Sequence, residues 1–401
     1  MRINNNATGL IFIVAFLAML GPFSIDTYLP SFLSIEAEYS VNRALLSQTI
    51  AWYMVATALS TLFWGPLSDR LGRKKVILLT LVLYVVASLG CALAANYSEF
   101  LSARVLQGIA ASGGLVTGRA IIRDSHNSER SHRAMSYVLM LFALAPAIAP
   151  IIGGWLHDVY GWRSIFYFLS SYGFIMLLVS GLFLNETLEK NRRKSFHPLY
   201  VMRVYARTLL NVEFLLLVLS LGVSFAGLFI YIAGSPTLMF ELLGLQSDEF
   251  AVLFVPMTAG IIAGSYFSGK LAVNWSKRKI INLAFCIMLM AVVINMVQVS
   301  LVQVNLFFVI APIVIYASGV AISMPAFGIL AIDQFPHNKG AASAVQSFVQ
   351  IIMSALVAGV ILGLTGERLS GFVTGQMLLL GVSLLLWCAY CFNSKKCLSL
   401  S

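Results

Sequence analysis

Twelve long apolar runs divide this 401-residue chain, at 10–33, 45–66, 76–95, 98–122, 134–156, 163–184, 210–238, 250–271, 279–299, 304–330, 340–364 and 371–392. A helix rises about 1.5 Å per residue, so about 20 residues cross the hydrocarbon core of a bilayer. In that solvent every backbone N–H and C=O needs an internal partner, which restricts spanning structures to helices and closed barrels. Runs of this length predict helices, and the fold class is therefore an all-α membrane protein with twelve transmembrane helices. Almost everything outside the runs is a short connection, so no soluble catalytic domain fits and an enzyme is not expected.

The chain is 59% hydrophobic and 10% charged, yet carries a net charge of +10. The positions of the bases explain the surplus without nucleic acid. With the N-terminus on the cytoplasmic side, 21 of the 26 Lys and Arg fall on that side, among them Arg2, Arg70, Arg73, Lys190, Arg192, Lys194 and Lys277–Lys279. The opposite side holds Arg43, Arg163 and Arg368, while Arg104 and Arg119 lie within the fourth run. The basicity is topological, and it places both termini in the cytoplasm. Cys388-x-x-Cys391 sits in an apolar run with no histidine nearby, so it reads as packing. The five histidines fall in loops or at span ends and receive no role. No metal or cofactor is expected. The first apolar run continues past 20 residues with no small-residue cleavage site, unlike a signal peptide.

A polar, basic connection at 185–209 separates two halves, 1–184 and 210–401, with six runs each. The halves repeat. Gly65-Pro66-Leu67-Ser68-Asp69-Arg70-Leu71-Gly72-Arg73-Lys74-Lys75, between runs two and three, returns in weaker form at 269–279. Pro30 and Pro236 precede the two copies at matching distances. Both halves enter and leave on the same side, so they form parallel repeats about an axis along the membrane normal. Two pseudo-symmetric six-helix bundles of this kind place a substrate cavity near mid-membrane. The partners expected are a small-molecule substrate and membrane lipid, with the protein a monomer.

Charges deep in a bilayer are expensive and mark function. Asp26 in run one and Arg104 in run four each lie about 10 Å from the same membrane face by helical rise. At matching depth they are placed to interact or to share a cavity, and apolar surroundings disfavour a charged carboxylate, which suits proton coupling. A structural ion pair is the alternative. Within 65–75, Asp69 closes a helix at the end where an acid opposes the local dipole, so it needs a partner such as Arg73 or a neighbouring helix N-terminus. In the second copy Val273 and Ser276 replace Asp69 and Gly72. Run five contains Ala145-Pro146-Ala147-Ile148-Ala149-Pro150-Ile151-Ile152-Gly153-Gly154, where the prolines break the hydrogen-bond ladder and the glycines admit a close partner helix. Aromatic and amide residues supply candidates for lining the cavity: Tyr28, Trp52, Tyr53, Phe142, Phe225, Tyr231, Phe254, Phe327, Gln346 and Gln350. Gln346 and Gln350, four apart, share a helix face.

Taken together these residues resemble the major facilitator superfamily along the whole chain. The 65–75 stretch resembles its loop signature, Leu101-x-x-Arg104-x-x-Gln107-Gly108 its helix-four motif in proton-coupled members, and the run-five segment its antiporter motif. Gly161-Trp162-Arg163-x-x-Phe166 resembles the start of its helix six. Asp26-Thr27-Tyr28-Leu29-Pro30, Gly118-Arg119-Ala120-Ile121-Ile122-Arg123-Asp124 and Ala145–Pro150 resemble the bicyclomycin-resistance (Bcr/CflA) efflux type. The resemblance implies alternating access and drug:proton antiport across a bacterial inner membrane. By position, Asp26 would be the protonation site and Arg104 its modulator. Gly65, Asp69, Arg70, Gly72 and Arg73 would form a conformational latch, and Pro146, Pro150, Gly153 and Gly154 the antiporter motif. The departures are Ala149, where the motif often has glycine, and the missing acid in the second loop copy.

Overall fold

The computed structural model describes residues 6–125, 128–189, 193, 198–301, 305–336, 338–365 and 368–398. Arg2, Lys190, Arg192, Lys194, His126, His197 and His337 lie outside the described residues. Among the described residues every regular element is a helix. In chain order they are α1 (Asn6–Asp26), a short 3-10 turn (Leu29–Ser31), α2 (Phe32–Tyr39), α3 (Arg43–Leu71), α4 (Arg73–Leu93), α5 (Tyr97–Ser125), α6 (Ser128–Phe142), α7 (Ala145–Tyr160) and α8 (Arg163–Phe183). The order continues with α9 (Pro198–Leu209), α10 (Val212–Ala233), α11 (Ala251–Leu271), α12 (Lys277–Leu301), α13 (Leu306–Asp333), α14 (Lys339–Leu356), α15 (Leu362–Thr365) and α16 (Leu369–Leu398). Among the described residues twelve segments are long and apolar enough to cross a membrane.

Local chemistry sets the boundaries. The Asn42 carboxamide accepts from the Leu45 N–H at 2.8 Å at the start of α3, and Asn211 does the same for Phe214 at 2.8 Å at the start of α10. The first apolar run, expected as one helix over 10–33, tightens instead into the 3-10 turn after Asp26. Pro30 has no N–H to continue the α-helical ladder there. The fifth run divides between α6 and α7, with Pro146 in the first turn of α7. The 185–209 connection also holds α9, a helix absent from the sequence reading.

The chain forms two compact units, Met1–Pro198 with Ser247–Ala251, and Leu199–Gln246 with Val252–Ser401. In the first, α5 packs on α1, α3 and α4. Its small residues let backbones meet: a Cβ on Gly108 would strike the Tyr53 carbonyl, and one on Gly114 would stand 3.0 Å from the Leu17 carbonyl. In the second, α10 packs on α13, α14 and α16, and Ser220 and Ser224 share hydrogen bonds with Ser383. Without a hydrophobic drive between helices in lipid, close packing and such polar contacts hold each bundle together.

Candidate functional site

The first unit holds two polar clusters, one around Arg104 and one at the junction of α3 and α4. Arg104 is 0% exposed on α5. A Nη1–H donates to the Ser24 carbonyl at 2.8 Å and to Gln107 Oε1. Gln107 is itself held by its Nε2–H to Ser88 Oγ, 2.8 Å away on α4. The guanidinium carbon stands 4.4 Å from the Tyr28 ring centroid, 4.5 Å from Tyr53 and 6.0 Å from Phe166. A desolvated cation against aromatic faces gains about 2 kcal/mol per good contact. Tyr28 is fixed through its hydroxyl to Thr49 Oγ1 at 3.0 Å, and Phe166 stacks edge-on with Phe100 and Trp162. Nε and Nη2 of Arg104 are buried without a hydrogen-bond partner.

Asp26 ends α1, 4% exposed. The expected contact between Asp26 and Arg104 is not made. Among the described residues the Asp26 side chain has no hydrogen bond or ion pair, and the Arg104 cation is held by rings, the Ser24 carbonyl and the Gln107 amide in place of a carboxylate. The reason is local: α1 gives way to the 3-10 turn just after Asp26, and that turn puts Tyr28, two residues on, over the guanidinium.

At the other end of these helices Gly72 alone joins α3 to α4, with φ 103° and its N–H on the Ser68 carbonyl at 3.1 Å. Only glycine adopts this conformation readily. A Cβ there would also strike Glu186. Arg73 is buried and bonds Asp69 Oδ1 at 2.6 Å, Asp124 Oδ2 at 3.0 Å and Ser68 Oγ at 2.6 Å. Its backbone N–H donates to Glu186 Oε1 at 2.9 Å. The cluster thus draws on α3, α4, the end of α5 and the segment after α8. Arg70 is exposed, and Gly65 meets only Val116. In the second unit five residues separate α11 from α12, and Lys277 at the start of α12 bonds Asp333 at the end of α13 at 2.7 Å. That pair is half-exposed, a solvated counterpart of Arg73–Asp124.

Gly153 and Gly154 on α7 lie against backbone: a Cβ on the first would strike the Thr27 carbonyl, and on the second the Ser247 carbonyl. Ser247 also donates to the Pro30 carbonyl at 3.1 Å. Pro146 starts α7 and Pro150 is buried in its second turn.

Within each unit the aromatic and amide candidates fall in different surroundings. Tyr28 and Tyr53 belong to the Arg104 cluster. Trp52, next to Tyr53 but about 100° around the helix, is 51% exposed on a different face. Phe142 ends α6, half-buried. In the second unit Tyr231 is fully buried and bonded to Asn295 at 2.8 Å and Gln376 at 3.4 Å. Phe327 is buried between Phe285 and Trp387, and Phe254 is buried too. For Tyr231, Phe254 and Phe327 the lining role is replaced by core packing, because side chains with no exposed surface offer nothing to a ligand in this arrangement. Phe225 stacks on Phe229, 6.3 Å away. Gln346 and Gln350 are half-buried, and Gln346 Oε1 is an unpaired acceptor.

Sequence reasoning missed Asp124 and Glu186 as partners of Arg73, Ser88 as the anchor of Gln107, and Arg119. The acids lie at helix ends far along the chain, where an isolated charge carries no signal. Arg119 was visible as a base inside an apolar run.

Residues 11–358 match the family model described as Major Facilitator Superfamily. The chain is 29% identical over 361 residues to the "Uncharacterized MFS-type transporter YdgK" of Bacillus subtilis, covering 88% of this chain and 90% of that one. It is 28% identical over 286 residues to the "Bicyclomycin resistance protein homolog" of Haemophilus influenzae (71% and 72% covered). To the Escherichia coli "Multidrug resistance protein MdtL" it is 28% identical over 340 residues (85% of each). Solved structures share the fold: a D-xylose-proton symporter superposes with TM-score 0.71 at 15% identity, over 94% of this chain and 97% of that one. The xylose transporter XylE of E. coli, partially occluded and inward open, gives 0.73 at 12% identity, over 96% and 98%. The protein is a multi-pass membrane transporter and not an enzyme. By the match across most of its length, the chain belongs to the Major Facilitator Superfamily.

Proposed function

We propose that the protein exports small amphipathic compounds across the bacterial inner membrane in exchange for protons, by alternating access. The observation that carries this reading is Asp26, a buried acid in a spanning segment with no counter-ion among the described residues. An unpaired carboxylate in such surroundings costs far less neutral than charged, so it exchanges a proton whenever its surroundings alternate between dry and wet. Arg104, fixed by Tyr28, Tyr53 and Gln107, serves as a stationary positive charge in the same bundle. The drug-resistance names borne by the H. influenzae and E. coli relatives support export over uptake.

The Arg73 cluster is the conformational latch of the first unit in this reading, and the Gly153–Gly154 face is the seat on which α7 packs. Both termini lie in the cytoplasm, the coupling ion is the proton, and the protein works as a monomer in lipid with no other cofactor. One proton entering at 100 mV supplies about 2.3 kcal/mol, which sustains roughly a fiftyfold substrate gradient before any pH term. The test is ΔpH-driven flux in proteoliposomes. Asp26→Asn is expected to abolish it while leaving counterflow exchange of substrate; full retention of ΔpH-driven flux would remove Asp26 from the coupling. A susceptibility panel beside a metabolite-export assay separates a broad drug exporter from one dedicated to a single metabolite.

A further inference from the structure

Arg119 lies six residues before the end of α5, about 9 Å along the helix from that end. Among the described residues it forms no ion pair or hydrogen bond. Its neighbours Thr117, Gly118, Ala120, Ile121 and Ile122 are all buried, and α5 is packed by α1, α3 and α4, which leaves open the sector that carries Leu115, Val116 and Arg119. Arg119 itself keeps part of its surface open. A guanidinium in lipid would be driven to the interface, whereas one on an interior helix with open surface is available to a ligand.

The charge inventory points the same way. Among the described residues, the Asp, Glu, Lys and Arg side chains well inside the spans are Asp26, Arg104 and Arg119, all in the first unit. Neither arginine is matched by a carboxylate. The span interior is therefore net positive with Asp26 ionised, and more so with Asp26 protonated. A lipophilic cation entering this field meets repulsion in both protonation states; an anion meets attraction in both. The planar fork of Arg119 offers paired N–H donors that suit a carboxylate, sulfonate or phosphonate.

We infer that Arg119 is a substrate-binding residue that selects compounds bearing an anionic group and disfavours lipophilic cations. This rests on the export reading above for the direction of transport, but binding selectivity is measured without transport. The probes are tetraphenylborate and tetraphenylphosphonium, ions of nearly the same size and shape and opposite charge. Binding to the purified full chain in nanodiscs is read against protein-free nanodiscs, after a monodisperse size-exclusion profile has shown each variant to be folded.

The wild type is expected to bind the borate at least tenfold more tightly than the phosphonium. Arg119→Gln should reduce that ratio by about tenfold, and Arg119→Lys, which keeps the charge, should retain most of it. Equal affinities, tighter binding of the phosphonium, binding of neither ion, or an Arg119→Gln ratio equal to that of the wild type would each overturn the assignment. Loss of ΔpH-driven flux with the ratio intact would instead count against the export reading and leave Arg119 in place.

Discussion

The guanidinium carbon of Arg104 stands 4.5 Å from the centre of the Tyr53 ring, with no carboxylate in contact. A buried cation is held here by an aromatic face, a backbone carbonyl and an amide. Asp26 is thereby left without an ion pair among the described residues, as the proposed proton exchange requires.

Removing that ring should therefore destabilise the first unit. Tyr53→Leu is expected to cost about 2 kcal/mol, the size of a desolvated cation–π contact. Tyr53→Phe should be near neutral, because the hydroxyl makes only a 3.5 Å contact with the Gly21 carbonyl. Thermal unfolding of the purified protein in detergent, comparing the two variants, checks the ranking.

Gly72→Ala should be costly although it adds a single methyl. The φ of 103° is strained for any L side chain, and the methyl would meet Glu186. Strain of this kind costs about 1–3 kcal/mol. Lower membrane accumulation and a lower unfolding temperature than Gly269→Ala are expected, since a Cβ at Gly269 meets nothing within 4 Å.

The two acids on Arg73 should differ. Asp69 is 39% exposed and Asp124 21%, against 4% for Arg73. Breaking a buried pair costs about 3–5 kcal/mol and an exposed one about 0–1. Asp124→Asn is therefore expected to lower the unfolding temperature more than Asp69→Asn does. If the cluster is a latch, Asp69→Ala should also change the distance distribution between spin labels placed on the ends of α4 and α12. An unchanged distribution would leave the cluster a fastener of the first unit alone.

Gly153→Ala should loosen the seat of α7, because its methyl would strike the Thr27 carbonyl, which is backbone and cannot swing aside. Overpacking of this sort costs about 1–3 kcal/mol. Gly181→Ala, whose methyl would sit 3.9 Å from Leu78, serves as the control expected to be neutral. Unfolding temperature distinguishes them.

The spans were legible because twenty apolar residues in a row have few other fates, and the prolines of run five announced a break there, whereas the break before Pro30 was not read. The turn at Gly72 was legible because glycine, acid and bases sit within one short segment. Partnerships across the bundle were not. Asp124 and Glu186 reach Arg73 from 51 and 113 residues away, and nothing local to either acid records that meeting. The expected closeness of Asp26 and Arg104 failed as a contact for a related reason: equal depth fixes height along the normal, not bearing around the helix. The aromatic candidates show the same limit, since Trp52 and Tyr53 are adjacent in sequence and end in opposite environments.

Two helices carry both polar clusters of the first unit. On α3, Tyr53 meets Arg104 and Asp69 meets Arg73; on α5, Arg104 lies toward one end and Asp124 at the other. Sixteen residues of α3 separate its two contacts, roughly 24 Å of helix. The single-residue joint at Gly72 ties α4 to the same assembly. The two clusters therefore share one pair of helices, so a substitution at Arg73 and one at the aromatic grip on Arg104 bear on the same two rods. The junction at Gly72 and Arg73 thus closes one end of the same two helices, whose other ends hold the ring and the guanidinium of the Arg104 cluster.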